Sequence, residues 1–226
     1  MRLHVAFTPA EAVSAPVGIV VDVMRATSSI AQALASGYER VLCARGVEEA
    51  RGVREAVGDG LLGGERDAVR IEGFDVGASP REFRDGHGET LILSTTNGTR
   101  AIVNAAGSCE HVLIGSLLNL SAVVAEARKL DGDIVVLCAG FKDAFAIDDA
   151  YCAGRILQGL EGERTDAAVA AEVVARAFPE AIDGIKARTY GPPGLEDDIA
   201  WVSQVDLLDV VPRFTGVVEG AAQIRL

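Results

Sequence analysis

The sequence predicts an α/β fold in which a mainly parallel sheet is flanked by helices. Three observations indicate this. Short apolar segments rich in valine, isoleucine and leucine alternate with segments of helical periodicity. The connections between them are short, as expected for right-handed β-α-β crossovers. Segment 17–21 contains no polar residue, which is typical of a strand buried on both faces of a parallel sheet.

The composition excludes several classes of protein. The 226 residues are 49% hydrophobic and 24% charged, which is enough for one large core. The net charge of −12 argues against non-specific binding of nucleic acid, so no nucleic-acid partner is expected. No segment has transmembrane length and no signal-peptide pattern is present, so we expect a cytoplasmic protein without a membrane partner.

The cysteines and histidines argue against a thiol-based or histidine-based site. The four cysteines are scattered without a CxxC pair, as expected of reduced, mostly buried thiols. The three histidines, at positions 4, 87 and 111, are far apart in sequence. A zinc site or a histidine-based triad is therefore not expected.

The alternation can be followed in order along the chain. The predicted strands comprise residues 3–7, the run ending at Asp22, residues 41–44, the short run 61–62 that leads into the 63–66 cluster, and residues 90–94, 111–114 and 133–138. The predicted helices follow Arg25 up to Gly37, then comprise residues 47–57, a segment that the 95–100 cluster opens and that ends at about 106, a segment from 119 or 121 to 130, and residues 147–160 and 165–178. Residues 67–88 have no convincing periodicity, and residues 73–80 within them are predicted to form a turn-rich functional loop.

The C-terminal part is less regular. Two β-prone runs, 199–202 and 207–211, follow a Gly-Pro-Pro-Gly break at 191–194. We expect one α/β domain, residues 1–226, with a smaller C-terminal sublobe from about residue 141 to 226 as an option.

Five predicted strands end in polar or glycine-rich clusters. The clusters are Asp22/Arg25, Gly63/Glu65/Arg66, Thr96/Asn97/Gly98/Thr99, Gly115/Ser116/Asn119 and Cys138/Ala139/Gly140. Open α/β proteins bind ligands at the carboxyl edge of a parallel sheet. If the strands are parallel, the five clusters share that edge and form one site.

Two carboxylates in these clusters suit a metal ion. Asp22 and Glu65 follow different strands, and two carboxylates with water are a suitable set for Mg²⁺. The simpler interpretations are that Asp22 caps a helix and that Glu65 is a solvated loop acid.

The segment 95–100 is the strongest candidate for binding an anion. Thr96, Asn97, Gly98 and Thr99 open a helix, whose free N–H groups and dipole favour phosphate. The spacing is not that of a Walker A loop. An ordinary N-cap with an Asn-Gly turn explains the pattern equally well.

Further candidates lie near these clusters. Arg25, Arg66 and Arg100 could bind an anionic substrate through forked hydrogen bonds, and Thr27 lies beside the free N–H groups of the first helix. Asp75 is a candidate for positioning or activating a nucleophile. Surface arginines and an Asx turn are the simpler interpretations.

These motifs together resemble the 2-phosphosulfolactate phosphatases of coenzyme M biosynthesis, the ComB family. The matching segments are 21–28, 64–66, 73–80, 96–100, 115–119 and 138–140, in family order over roughly the first two-thirds of the chain. The resemblance implies a Mg²⁺-dependent phosphatase that converts 2-phosphosulfolactate to 3-sulfolactate and phosphate. It also implies a ComB-like α/β fold and a homo-oligomer.

In that reading, Asp22 and Glu65 hold Mg²⁺, and Asp22, Asp75 and Arg100 are catalytic. The substrate, a small anionic phosphate ester, is bound by Arg25, Thr27, Arg66, Thr96, Asn97, Gly98 and Thr99. The nucleophile is either water or a carboxylate such as Asp22. The alternatives are a phosphatase for another small phosphorylated hydroxy acid and a non-catalytic anion-binding regulatory module.

The chain departs from the family pattern at two positions. Ala78 stands where the family usually has asparagine, and Tyr190-Gly191 stands where a His-Gly pair is common. A proton donor supplied by that histidine in relatives would have to be another residue here.

Overall fold

The computed structural model describes residues 1–86 and 89–226 and shows an α/β fold built on one mixed sheet. The strands are β1 (Arg2–Ala6), β2 (Ala15–Val21), β3 (Arg40–Cys43), β4 (Leu61–Arg66), β5 (Val69–Arg70), β6 (Thr90–Ser94), β7 (Cys109–Gly115), β8 (Ile134–Cys138), β9 (Glu163–Arg164), β10 (Arg213–Val218) and β11 (Ala221–Arg225). The helices are α1 (Ala26–Ala35), α2 (Val47–Val57), α3 (Gly98–Ala106), α4 (Leu120–Ala127), α5 (Ile147–Gln158), α6 (Asp166–Ala177), α7 (Ala181–Lys186) and α8 (Glu196–Val202), with a 3-10 helix at Pro80–Phe83.

The sheet consists of two parallel groups joined by an antiparallel hairpin. Its strand order is β5-β4-β6-β3-β11-β10-β7-β2-β8-β1-β9. Strands β4, β6 and β3 are parallel to one another, as are β7, β2, β8, β1 and β9. Because β11 is antiparallel to β3, and β10 is antiparallel to both β11 and β7, the two groups run in opposite directions along the sheet.

Helices α1 and α3 bring the two groups together. Helix α1 contacts both β7 and β3, and α3 contacts both β2 and β3. One core cluster accordingly contains Val20 of β2 and Ile114 of β7 together with Val41 of β3 and Leu93 of β6. The sheet must therefore curve around these two helices, which allows strand ends from both groups to meet at one place.

Most elements before residue 160 form where the sequence predicts them. The segment 67–88, predicted to lack regular structure, contains the short strand β5 and the 3-10 helix, and its last two residues, 87 and 88, lie outside the described part of the chain.

The C-terminal part differs from the prediction. The predicted strand 199–202 was wrong, since these residues belong to helix α8, whose first turn carries Glu196, Asp197 and Asp198 beside the free N–H groups. Residues 207–211 form neither helix nor strand. The two C-terminal strands are β10 and β11 instead, and they lie in the middle of the main sheet, while α5 and α6 pack on the side of β1 and β2.

No helix within residues 1–86 and 89–226 combines the length and the apolar character needed to cross a membrane.

Candidate active site

A cavity of about 290 Å³ opens where the ends of β2, β4 and β6 meet the loop after β8. Its wall is completed by the segment between α7 and α8. It is lined by Asp22, Met24, Arg25, Ala26, Glu65, Asp67, Ala68, Ala78, Thr95, Thr96, Asn97, Phe141, Arg188, Tyr190, Gly191, Pro192 and Leu195.

Asp22 is held rigidly at the end of β2. Its backbone N–H donates to Thr27 Oγ1 at 3.1 Å, and its carbonyl oxygen accepts from the N–H and hydroxyl of Thr27 at 3.0 and 2.9 Å. Its carboxylate accepts a hydrogen bond from the N–H of Ala26, in the first turn of α1. A buried carboxylate is thus fixed at a helix N-terminus, where its charge is favoured.

Gly98 leaves room for this carboxylate. A Cβ atom at this position, the first residue of α3, would lie 3.0 Å from Asp22 Cβ and closer still to the carboxylate and to Ala26. The Asn-Gly pair at the start of α3 is therefore needed for the close approach of α3 to α1, in addition to opening the helix.

Glu65 connects β4 to the start of α3. Its Oε1 accepts from the N–H of Thr96 at 2.8 Å, and its Oε2 accepts from the N–H of Ala68 at 2.6 Å. The hydroxyl oxygen of Thr96 is buried and has no partner among the described residues. Glu65, Asp22 and Thr96 all line the cavity, and the unpartnered hydroxyl of Thr96 lies beside Glu65.

Two further aspartates lie behind Asp22, at the start of α5. Asp149 accepts from the N–H groups of Val23 and Gly140 at 2.9 and 3.0 Å, so it ties the ends of β2 and β8 together. Asp148 is also fully buried, and its Oδ2 has no partner among the described residues.

This concentration of buried acids changes their protonation. Burial, reinforced by the charges of Glu65 and Asp148, raises the pKa of Asp22 from 3.8 to about 7. Burial also raises the pKa of Asp148, and burial with the charges of Asp148 and Asp22 holds the pKa of Asp149 well above its usual value. The acids are therefore poised to share protons or to bind a cation.

Tyr190 covers these acids from the segment between α7 and α8. Its hydroxyl donates to Asp148 Oδ1, and its ring stacks on Phe141 with centroids 4.2 Å apart. The guanidinium of Arg188 lies over the Tyr190 ring, 5.5 Å from its centroid. Burial and the nearby aspartates raise the pKa of Tyr190, so its hydroxyl stays protonated as a donor.

Arg25 forms the cationic wall of the cavity. Its Nη1 pairs with Asp198 Oδ2 at 2.7 Å, its Nη2 donates to the carbonyl oxygen of Ala68 at 3.1 Å, and its side chain is 9% exposed. The peptide bond between Met24 and Arg25 is cis.

Not all residues predicted to form the site line the cavity. Asp22, Arg25, Glu65, Thr96 and Asn97 do. Gly98 contacts Asp22 from behind, Thr27 holds the Asp22 backbone, and Thr99 exchanges hydrogen bonds with Thr95, so these three shape the cavity without lining it.

Arg66, Asp75 and Arg100 lie elsewhere. Arg66 donates to the carbonyl and hydroxyl oxygens of Ser94 at 3.1 and 3.0 Å, which ties β4 to β6. Asp75 Oδ2 accepts from the N–H of Leu62 at 2.8 Å and pairs with Arg54 at 2.9 Å. Arg100 is 47% exposed and lies 3.5 Å from Asp143. The structure thus gives Asp75 the role of fixing a turn, and we correct its assignment as a nucleophile-activating residue.

The expectation that five strand ends share one edge also needs correction. The ends of β2, β4 and β6 and the loop after β8 reach the cavity, but the cluster after β7 does not. The side chain of Asn119 bonds Ser116 and the carbonyl oxygen of Val210, so it anchors the segment before β10. Strand β7 is parallel to β2, as predicted, but the loop that follows β7 contacts the segment leading to the C-terminal hairpin.

Comparison with known proteins shows which family the chain belongs to. The family model described as 2-phosphosulpholactate phosphatase matches residues 4–216. The chain belongs to this family.

Relatives in the phosphatase family match over nearly their whole length. A probable 2-phosphosulfolactate phosphatase of Symbiobacterium thermophilum is 38% identical over 221 residues, covering 92% of this chain and 94% of the relative. The corresponding protein of Clostridium acetobutylicum is 38% identical, covering 91% and 92%. That of Thermus thermophilus is 36% identical, covering 96% and 95%. The family consists of phosphoric monoester hydrolases, so the resemblance seen in the motifs is confirmed and the chain is an enzyme.

The two positions expected to depart from the family pattern, Ala78 and Tyr190, both line the cavity. The sequence pointed to Tyr190 only as a departure. It gave no sign of the Tyr190–Asp148 hydrogen bond, because the dipole of α5 was enough to explain an acid at its first turn.

The donor set of this phosphatase fits Mg²⁺. The negative charge of Glu65 contributes to the raised pKa of Asp22, and a cation bound between the two carboxylates would relieve this repulsion. Residues 1–86 and 89–226 contain no group of three or more histidine, cysteine, aspartate or glutamate side chains that could hold a metal ion. Water and substrate phosphate would therefore have to complete the shell, as is usual for Mg²⁺.

Proposed function

We propose that the chain hydrolyses 2-phosphosulfolactate to 3-sulfolactate and inorganic phosphate with the help of Mg²⁺, a reaction of the type used in coenzyme M biosynthesis. Family membership and the activity named for the relatives support the substrate. The observation that carries the mechanism is the juxtaposition of Asp22, Glu65 and the first turn of α3 at one cavity.

Asp22 is the proposed catalytic residue. Its carboxylate is fixed by Ala26 and backed by Gly98, so it needs no reorganisation when the substrate enters. It acts either as the nucleophile itself or by orienting a water molecule, and trapping of an acyl phosphate would separate these routes.

The metal would be held by Asp22 and Glu65. When bound, Mg²⁺ would neutralise charge on the phosphoryl oxygens. The N–H of Thr96 keeps Glu65 in place for this role, and the unpartnered hydroxyl of Thr96 is available to the phosphoryl group.

The remaining cavity wall would bind the acidic part of the substrate. Arg25 and Arg188 both line the cavity and supply positive charge in a chain whose net charge is −12. A sulfonate and a carboxylate both accept the forked hydrogen bonds of a guanidinium group. Tyr190, whose hydroxyl stays protonated and donates to Asp148, also lines the cavity and is the candidate donor to the leaving oxygen.

The test is phosphate release from a panel of esters by the chelator-treated protein, with Mg²⁺ titrated back. We expect the highest kcat/KM for 2-phosphosulfolactate, followed by phospholactate and phosphoglycolate, and no turnover without a divalent metal ion. A clear preference for another ester would assign that ester as the substrate in place of 2-phosphosulfolactate. If no ester released phosphate with any divalent ion, the proposed phosphatase activity would be overturned.

Matched variants make this test specific for the site. Asp22→Asn should lower kcat by about 10³-fold or more, because it removes the charge at the reacting centre. Asp59→Asn makes the same chemical change at an exposed turn and should leave kcat unchanged.

A further inference from the structure

A second cavity of about 490 Å³ lies on the other side of Arg25 from the active site. Arg25, Ala68, Ala78 and Leu195 line both cavities and thus form the wall between them. The function proposed above does not use this second cavity.

The second cavity is rich in arginine. Arg25, Arg70, Arg81 and Arg84 line it, against two acids, Glu82 and Asp198. This is unusual in a chain with 33 acidic and 21 basic residues. The local excess of positive charge would attract small anions against the overall field of the protein.

The two acids are already engaged. Asp198 pairs with Arg25 at 2.7 Å and lies 4.0 Å from Arg81, which also pairs with Asp197 at 3.0 Å. Glu82 accepts from the N–H groups of Gly77 and Ser79 at 3.2 and 3.1 Å. Its carboxylate therefore holds the start of the 3-10 helix.

Arg70 and Arg84 retain unneutralised charge. Arg70 Nη1 donates to the carbonyl oxygen of Asp75 at 3.3 Å, and Arg84 Nε donates to that of Arg81 at 3.1 Å. Arg84 also lies 5.5 Å from the ring centroid of Trp201. In the part of the chain that the structure describes, neither guanidinium has an ion-pair partner, so both can offer forked donors to a ligand.

We propose that the second cavity is a separate anion site that binds a small free oxyanion of the phosphate class. Each planar guanidinium group, that of Arg70 and that of Arg84, can donate two parallel hydrogen bonds to two oxygens of such an anion. The same chemistry could be supplied by the far end of a substrate that reaches past Arg25. We favour a free anion because the ion pair between Arg25 and Asp198, with Ala68 and Leu195, separates the two cavities.

An anion in the second cavity would influence the active site through their shared wall. It would place negative charge next to Arg25, which also faces the active site, and would weaken binding of an anionic substrate there. Because phosphate would then act at two sites, the apparent KM should depend non-linearly on the phosphate concentration, whereas competition at the active site alone gives a straight line.

The test counts bound phosphate by calorimetric titration of the full chain at low ionic strength, where exposed charges are least screened. We expect the Arg70→Gln/Arg84→Gln double variant to bind one phosphate fewer per chain than the wild type, or to bind it about tenfold or more weakly. Arg176→Gln, which removes one guanidinium group from an exposed position of α6, should bind like the wild type. Equal binding by the double variant and the wild type, or equal loss in Arg176→Gln, would overturn the proposal.

Kinetics separate the two sources of the anion. Without phosphate, the double variant should keep the kcat and KM of the wild type, and its apparent KM should rise linearly with phosphate, as expected of competition at the active site alone. A raised KM would assign the cavity to the substrate and overturn the proposal. If the double variant does not fold, Arg84→Lys keeps the charge without the fork and should weaken phosphate binding several-fold. Because binding is counted without turnover, failure of the phosphatase assay would leave this inference standing.

Discussion

At the scale of single residues, the central feature is Asp22, a carboxyl group whose burial disfavours its ionised form. Asp22 is 7% exposed and near Glu65 and Asp148, and its pKa is raised to about 7. Such a group stabilises the folded chain only while it is protonated. The site is therefore built at a cost in stability, as is common where function needs a buried charge.

The first prediction concerns pH and stability. Between 3.8 and about 7 the folded chain binds more protons at Asp22 than the unfolded chain. The free energy of unfolding, without a divalent ion, should fall as the pH rises through this window, and Asp148 and Asp149 act in the same direction.

Denaturant midpoints measured across this pH range check the prediction. Asp22→Asn should show a shallower decline than the wild type, and Asp59→Asn the same decline. An equal slope in Asp22→Asn and the wild type would contradict the raised pKa.

The second prediction concerns Gly98. Gly98→Ala places a methyl group against the Asp22 carboxylate and Ala26, and should destabilise the chain by about 1–3 kcal/mol, the usual cost of overpacking. Activity should fall at least tenfold, because Asp22 must move. Gly52→Ala in α2, where a Cβ meets open space, is the control and should stabilise by about 0.5–1 kcal/mol. Unchanged stability and activity in Gly98→Ala would show that the two helices can separate at little cost.

The sequence predicts a site residue when its position follows from local signals, and fails when the contact joins segments that are far apart in the chain. Asp22, Glu65 and Asn97 could be predicted to lie near one another because each lies at or shortly after the end of a strand. Asp148 and Tyr190 belong to different segments, and their hydrogen bond depends on how those segments pack. Asp75 was misassigned because a glycine-flanked acid in an aperiodic loop looks the same whether it fixes a turn or faces a ligand.

At the scale of elements, the segment between α7 and α8 completes the cavity. It contributes Arg188, Tyr190, Gly191, Pro192 and Leu195 to the wall. Its position depends on α8, which holds Asp198 against Arg25. The sequence predicted a strand for 199–202 because of its isoleucine, tryptophan and valine, whereas the three acids before it favour a helix start.

The third prediction concerns Tyr190. Tyr190→Phe keeps the stack on Phe141 but leaves Asp148 without its hydroxyl donor, so stability should fall by about 1–3 kcal/mol. We expect kcat to fall about tenfold or more, because the candidate proton donor is lost. Steady-state kinetics and melting curves measure both effects.

Tyr151→Phe is the control for this variant. It removes a buried hydroxyl that accepts from Arg155 and does not line the cavity. It should alter stability and leave kcat unchanged. A kcat for Tyr190→Phe equal to that of the wild type would rule out a role for its hydroxyl in proton transfer.

At the scale of the whole molecule, the C-terminal hairpin connects the two parallel groups. Strand β11 pairs with β3, and β10 pairs with β7. The sequence predicted the βα units correctly because each is specified locally by periodicity and turn signals. It did not predict this arrangement, because nothing in the sequence of a short strand indicates which distant strands it will pair with.

The fourth prediction concerns this hairpin. Ile224 of β11 is fully buried in the core between the groups, and Ile224→Ala should destabilise the chain by about 2–5 kcal/mol. Val217 of β10 is 65% exposed, and Val217→Ala should change stability by about 0.5 kcal/mol or less. Chemical unfolding compares the two, and similar values would mean that the hairpin adds little to the core.

The central place of the hairpin also bears on how the chain reaches its folded state. Strands β10 and β11 leave the ribosome after all the others, so β3 and β7 are synthesised well before the strands that cover them. Until then each group has an open edge facing the missing hairpin, and such edges readily pair with other chains. Nascent chains stalled before residue 213 should therefore depend on chaperones, while released chains can close the sheet and bring the acids of one group to the helix of the other.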